Sequence, residues 1–140
     1  MQSWIDSLFF QNPSIDNLWR FLPFGYLLTV MVESPVLWMF LPKLTLMQRV
    51  WNCIWLSACT YPIVVLVLPA LMTEFSRGTY LLVAETFAPA AECWVFWFAR
   101  HGTREFERWD WMISFATITA ANLASFAVGE ILWTSGFYSL

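Results

Sequence analysis

Glu33, Glu85, Glu92 and Glu130 lie inside hydrophobic stretches long enough to cross a bilayer, and no lysine or arginine falls within those stretches beside them. A carboxylate at mid-membrane depth costs about 2.5–3.5 kcal/mol on insertion scales, so it is usually buried in protein or lines a wet cavity. Desolvation disfavours the charged form. Without a neighbouring cation, several of these groups are therefore expected to be neutral or to share protons, and such groups relay protons or bind cations. The bland alternative is a polar cluster that only holds helices together.

Other chemistry finds less support. Glu33, Glu85 and Glu92 offer carboxylates to an intramembrane hydrolase, but His101 is the single histidine and no HExxH or GxSxG motif occurs. The cysteines are Cys53, Cys59 and Cys93, with no C-x-x-C pair. Cys53 and Cys59 on one helix stand roughly 9 Å apart along its axis, too far for a disulfide. No metal site, no enzymatic activity and no cofactor beyond bound lipid are expected. No basic tract points to nucleic acid.

The elements that must position the glutamates follow from composition. The chain is 59% hydrophobic and 12% charged, against about 25% charged in soluble domains, so water is not its main solvent. A window of about 19 residues gives four spans, near 21–41, 50–72, 79–99 and 111–133. Each meets the roughly 20 residues a helix needs to cross the hydrocarbon core. The connections Pro42 to Arg49, Thr73 to Gly78 and Arg100 to Asp110 are short, which makes successive helices antiparallel neighbours. The expected fold is all-α: an integral membrane four-helix bundle over 21–140, preceded by an N-terminal interfacial segment over 1–20. In that segment Trp4, Ile5, Leu8 and Phe9 recur at helical spacing, as in a short helix on the membrane surface. Met1 to Gln11 has no Lys or Arg and carries Asp6, so the first span is expected to direct insertion.

The first and third connections hold Lys43, Arg49, Arg100, Arg104 and Arg108, whereas the opposite side holds only Arg20 and Arg77. The positive-inside rule then puts both termini on the non-cytoplasmic side. Trp19, Trp38, Trp51, Trp94, Trp97, Trp109, Trp111 and Trp133 fall near the span ends, where aromatic rings anchor at headgroup level.

Depth counting at a rise of about 1.5 Å per residue gathers one polar layer near mid-membrane: Glu33, Thr60, Tyr61, Glu92 and Asn122. Glu85 and Glu130 form a second layer nearer the terminal side. Glu85 and Glu92 share one face of the third helix, being two turns apart. Pro35, Pro62 and Pro89 interrupt three spans and free the carbonyls of Met31, Ala58 and Glu85, which other groups must satisfy. Ser34 and Thr60 are positioned to reseal their helices. In the fourth span Ala121, Ser125 and Gly129 make a small-residue stripe that permits close helix approach. Asn52, just inside the second span, is placed to reach the headgroups or cap that helix.

Glu33-x-Pro35, Asn52 with Thr60-x-Pro62, the paired glutamates of the third span and Asn122-x-x-Ser125-x-x-x-Gly129 together resemble a pattern in small bacterial four-span proteins. The resemblance covers most of the membrane region and implies no activity; the expected location is a bacterial inner membrane. The expected role is an accessory or structural subunit, partnered by lipids and by other integral membrane subunits or by itself. Proton- or cation-coupled transport through the glutamates is the alternative.

Overall fold

A computed structural model describes residues 15–102 and 106–135. Four helices carry the chain: α1 over Ile15–Phe40, α2 over Leu46–Leu71, α3 over Arg77–Arg100 and α4 over Arg108–Thr134. All four are long and apolar enough to cross a membrane, which makes this an all-helical, four-span integral membrane protein. Most of the expected interfacial segment lies outside the described residues. Its last part, Ile15 to Arg20, is not a separate unit but the continuous start of α1.

Helix starts follow side-chain chemistry more than hydropathy. Thr45 Oγ1 accepts the Gln48 N–H at 3.4 Å while Gln48 Oε1 accepts the Thr45 N–H at 3.0 Å. This capping box satisfies two otherwise orphaned donors and begins α2 four residues before the apolar window does. Asn52 therefore does not cap the helix; its Nδ2 donates to the Gln48 carbonyl at 2.6 Å. Ser76 Oγ caps α3 by accepting the Thr79 N–H at 3.2 Å. The α1–α2 reversal passes through Lys43 at φ 55° and is braced by Arg49, whose guanidinium donates to the carbonyls of Leu44 and Trp38.

The helices pack in a ring, with α1 beside α2 and α4, and α3 beside the same two, so that α1 and α3 oppose one another diagonally. Burial is inverted relative to a water-soluble bundle. Met31, Leu71, Leu82 and Trp109 are 70–72% exposed, while Glu33, Ser57, Thr60, Glu92 and Asn122 are at most 6% exposed. Such an arrangement is stable only when the outer solvent is apolar, because exposed apolar side chains gain nothing in water. Among the tryptophans, Trp19, Trp38, Trp51, Trp94, Trp97 and Trp109 face outward. Trp111 does not; it packs against Phe106 and Phe96, at ring separations of 4.9 and 6.0 Å.

The α-helix runs through Pro62 and changes type just after it. The backbone widens to a π-turn over Ile63–Val67, so that the Leu68 N–H reaches back to the Ile63 carbonyl instead of that of Val64. In the same register Val64 would next accept from residue 69, which is a proline without an N–H. The Val64 carbonyl is thus orphaned twice over. The Tyr80 hydroxyl from α3 donates to it at 3.0 Å, which explains why a buried tyrosine stands at that position. Thr60, expected to reseal the break at Ala58, instead donates to the Leu56 carbonyl at 3.1 Å. Ser34 Oγ lies 3.1 Å from Cys53 Sγ on the neighbouring helix.

Tyr80→Phe should destabilise the bundle by about 1–3 kcal/mol, since it leaves a buried carbonyl unpaired. Tyr26→Phe should cost less. The Tyr26 hydroxyl donates to the Ile54 carbonyl at 2.9 Å, which lies within the regular part of α2 and keeps its helical partner. Reversible unfolding in mixed micelles measures both, and equal losses would refute the π-turn account.

Candidate functional site

Each glutamate of the mid-membrane layer is held by both flanking helices. Glu33 on α1 accepts from Ser57 Oγ on α2 at 2.9 Å through Oε2, and from Ser125 Oγ on α4 at 2.8 Å through Oε1. Glu92 on α3 accepts from Thr60 Oγ1 on α2 at 2.8 Å through Oε1, and from Asn122 Nδ2 on α4 at 2.8 Å through Oε2. Ser57 and Thr60 are three apart on α2, as are Asn122 and Ser125 on α4, so each pair lines one helix face. The two carboxyls consequently face one another across the bundle axis.

The two hairpins repeat this geometry. The buried residues Gly25, Glu33 and Leu37 of α1 have the same spacing as Ala84, Glu92 and Phe96 of α3. Cys53, Leu56, Ser57 and Thr60 of α2 have the same spacing as Ile118, Ala121, Asn122 and Ser125 of α4. In each hairpin the first polar residue binds the hairpin's own glutamate, and the second binds the other's.

Every hydroxyl in the cluster has a second acceptor. Ser57 Oγ is 3.1 Å from the Cys53 carbonyl, Thr60 Oγ1 3.1 Å from that of Leu56, and Ser125 Oγ 2.9 Å from that of Asn122. A hydroxyl has one hydrogen and two acceptor lone pairs. It can give its hydrogen to an ionised carboxylate, or turn it to the backbone and accept from a protonated carboxyl. Both charge states are thus satisfied with no heavy atom moving. Asn122 differs, because its amide nitrogen donates at once to Glu92 Oε2 and to the Ile118 carbonyl at 3.0 Å. Glu92 Oε2 is therefore a fixed acceptor, and a proton on Glu92 belongs on Oε1.

The surroundings of the pair differ on its two sides. Towards the terminal face lies a cavity of about 180 Å³, lined among others by Gly25, Thr29, Tyr61, Glu85 and Gly129, with both carboxyl side chains contributing to its wall. Towards the opposite face Leu37, Leu41, Leu44, Cys53, Leu56, Phe96, Ile118 and Ala121 form an apolar core with Phe106, Trp111 and Phe115 packed against it, and Ser114 and Thr117 of α4 are the buried polar residues in this half. The pair thus sits at the floor of a one-sided cavity.

Of the residues expected in the polar layer, Glu33, Thr60, Glu92 and Asn122 come together by hydrogen bonds, and Tyr61 lines the cavity beside them with its ring 6.1 Å from that of Tyr26. Ser57 was not anticipated, although its three-residue spacing from Thr60 mirrors Asn122 and Ser125. Ser125, expected in a packing stripe with Ala121 and Gly129, is instead a ligand of Glu33. Ala121 is buried in the apolar core, but a side chain added at Gly129 would meet nothing within 4 Å. Gly129 is a wall of the cavity, not a point of close helix contact. Glu130 also departs from expectation: it pairs with Arg77 at 2.6 Å, because Arg77 opens α3 at the level where antiparallel α4 ends. Among the described residues no three His, Cys, Asp or Glu side chains converge as a metal would require.

Neither a protein-family model, nor a curated protein, nor a solved structure matches this sequence. The fold and the site therefore define only a class: a four-span membrane bundle built around a buried carboxyl pair.

Thr60→Val and Asn122→Leu should each destabilise the bundle by about 1–3 kcal/mol by stripping a donor from Glu92. Combining either with Glu92→Leu should recover part of that loss, because no polar group then remains to satisfy. A coupling of about 0.5–3 kcal/mol is expected from the double-mutant cycle. Strictly additive losses would show that the contacts carry no shared energy.

Proposed function

We propose that this protein is a proton-binding membrane component whose Glu33–Glu92 pair loads and releases protons through the one-sided cavity. The observation that carries the reading is the second acceptor behind each of the three hydroxyls. A cluster that only tied helices together needs one satisfied state, whereas this one has two. A proton suits the site better than a metal cation, because one amide hydrogen of Asn122 points at Glu92 Oε2 and occupies a lone pair that a cation would need. The apolar core beyond the pair blocks passage to the far side, so net transfer across the membrane requires a partner or a rearrangement that opens that core.

The accessory reading keeps one observation in its favour. The same four contacts cross-link all four helices whatever their charge, as a scaffold within a larger assembly would. In both readings the chain belongs in a bacterial inner membrane with its termini on the non-cytoplasmic side. Lys43, Arg49, Arg100 and Arg108 on one face support that orientation. Reporter fusions to the C-terminus should be active outside the cytoplasm, and a cytoplasmic C-terminus would reverse the assignment.

Infrared titration of the protein in nanodiscs separates proton binding from scaffolding. Carboxyl C=O absorption should appear as the pH falls and should be lost in Glu33→Gln/Glu92→Gln, while helix content stays unchanged. A wild-type spectrum in which these two carboxyls show no pH response would sink the proton-binding reading and leave the scaffold.

A further inference from the structure

Glu85 is the one membrane-embedded glutamate to which neither the polar cluster nor the Arg77 ion pair gives a role. It is half-buried, lines the cavity, and has no hydrogen-bond or ion-pair partner among the described residues. It lies two turns before Glu92 on the same face of α3, about 10 Å away along the axis. That distance is too long for direct transfer, but the intervening space is cavity, not packed side chain. At about 180 Å³ and with Thr29, Tyr61 and Asn122 in its wall, this space has the volume and the polar partners to hold several waters.

The charged and titratable groups around Glu85 all have other commitments. Glu130 on α4 is engaged by Arg77, the Tyr80 hydroxyl donates to the Val64 carbonyl, and Glu33 and Glu92 are held by their own donors. Tyr61, from α2, shares the cavity wall.

We infer that Glu85 is the relay through which protons travel between the terminal face and the Glu33–Glu92 pair. The inference rests on the proton-binding reading of that pair. In the loading direction, a proton from water at the terminal face first forms the O–H bond on Glu85. That bond then breaks as the proton passes along cavity water, and a new O–H bond forms at Glu92 Oε1 or on Glu33. Arrival at Glu92 turns the Thr60 hydrogen from the carboxylate to the Leu56 carbonyl. Glu85 is left as a carboxylate, as it began, ready to take up the next proton. The balance is one proton moved from solvent to the pair, with no other reactant.

Time-resolved infrared after a pH jump, on the full chain in nanodiscs, tests this. Glu85→Gln should leave the final protonation of the Glu33–Glu92 pair unchanged and slow its approach by about 10²-fold, in the range that positioned proton-transfer groups contribute. Glu85→Asp should restore most of the rate. Gly129→Leu places a side chain in the cavity without contacting any neighbour at its Cβ, and should slow exchange as well; it carries the test if Glu85→Gln does not fold. An unchanged rate in Glu85→Gln, or in Gly129→Leu where Glu85→Gln does not fold, overturns the relay. So does a changed final protonation of the pair in Glu85→Gln, which would make Glu85 part of the binding site. Failure of the underlying reading looks different, as absence of any pH-dependent signal from the pair in the wild-type protein.

Discussion

The rest of the bundle depends on two buried carboxyl groups that have no cation beside them among the described residues. In a hydrocarbon solvent there is little hydrophobic force between helices, so association depends on packing and on polar contacts between them. Glu33 and Glu92 supply such contacts at the centre, and their needs set what stands around them. Two helices must each present a pair of donors one turn apart, at the same depth, and facing inwards. That requirement places Ser57 and Thr60 on α2, and Asn122 and Ser125 on α4.

The same constraint accounts for the difference between the two halves of the bundle. On one side of the pair, large side chains (Leu37, Phe96, Leu56 and Ile118) close the axis. On the other, several positions around the axis are small or polar, among them Gly25, Thr29, Ala84 and Gly129, and a cavity remains. Between Pro62 and Pro69 this half also holds a π-turn whose spare Val64 carbonyl accepts from Tyr80. π-Turns of this kind occur frequently at functional sites. The loosened backbone and the cavity thus lie on the same side of the carboxyl pair.

The hairpin repeat shows how a symmetric frame can hold an asymmetric site. Glu33 meets two hydroxyls, whereas Glu92 meets a hydroxyl and an amide. The substitution of an amide for a hydroxyl fixes one oxygen of Glu92 as an acceptor and leaves both oxygens of Glu33 free to change role. The repeat was hidden in the sequence because the matched positions share burial and polarity more than size or identity, as Ser57 against Asn122 and Leu56 against Ala121 illustrate.

The sequence by itself determined four apolar helices, their antiparallel order and the depth of Glu33, Thr60, Glu92 and Asn122. Length against membrane thickness and a fixed rise per residue are one-dimensional quantities, so counting recovers them. Counting also placed Glu85 away from the central layer. It could not say which way a side chain points around its helix axis, because rotation is set by what the neighbouring helices offer. Only the tertiary structure therefore turned Ser57 and Ser125 towards Glu33, brought Arg77 to Glu130 across antiparallel ends, and made Gly129 a cavity wall instead of a packing seam. It also decided that the polar layer has a cavity on one side and a closed core on the other. That distinction depends on the volumes of residues from four helices meeting at each level, which no single stretch of sequence records.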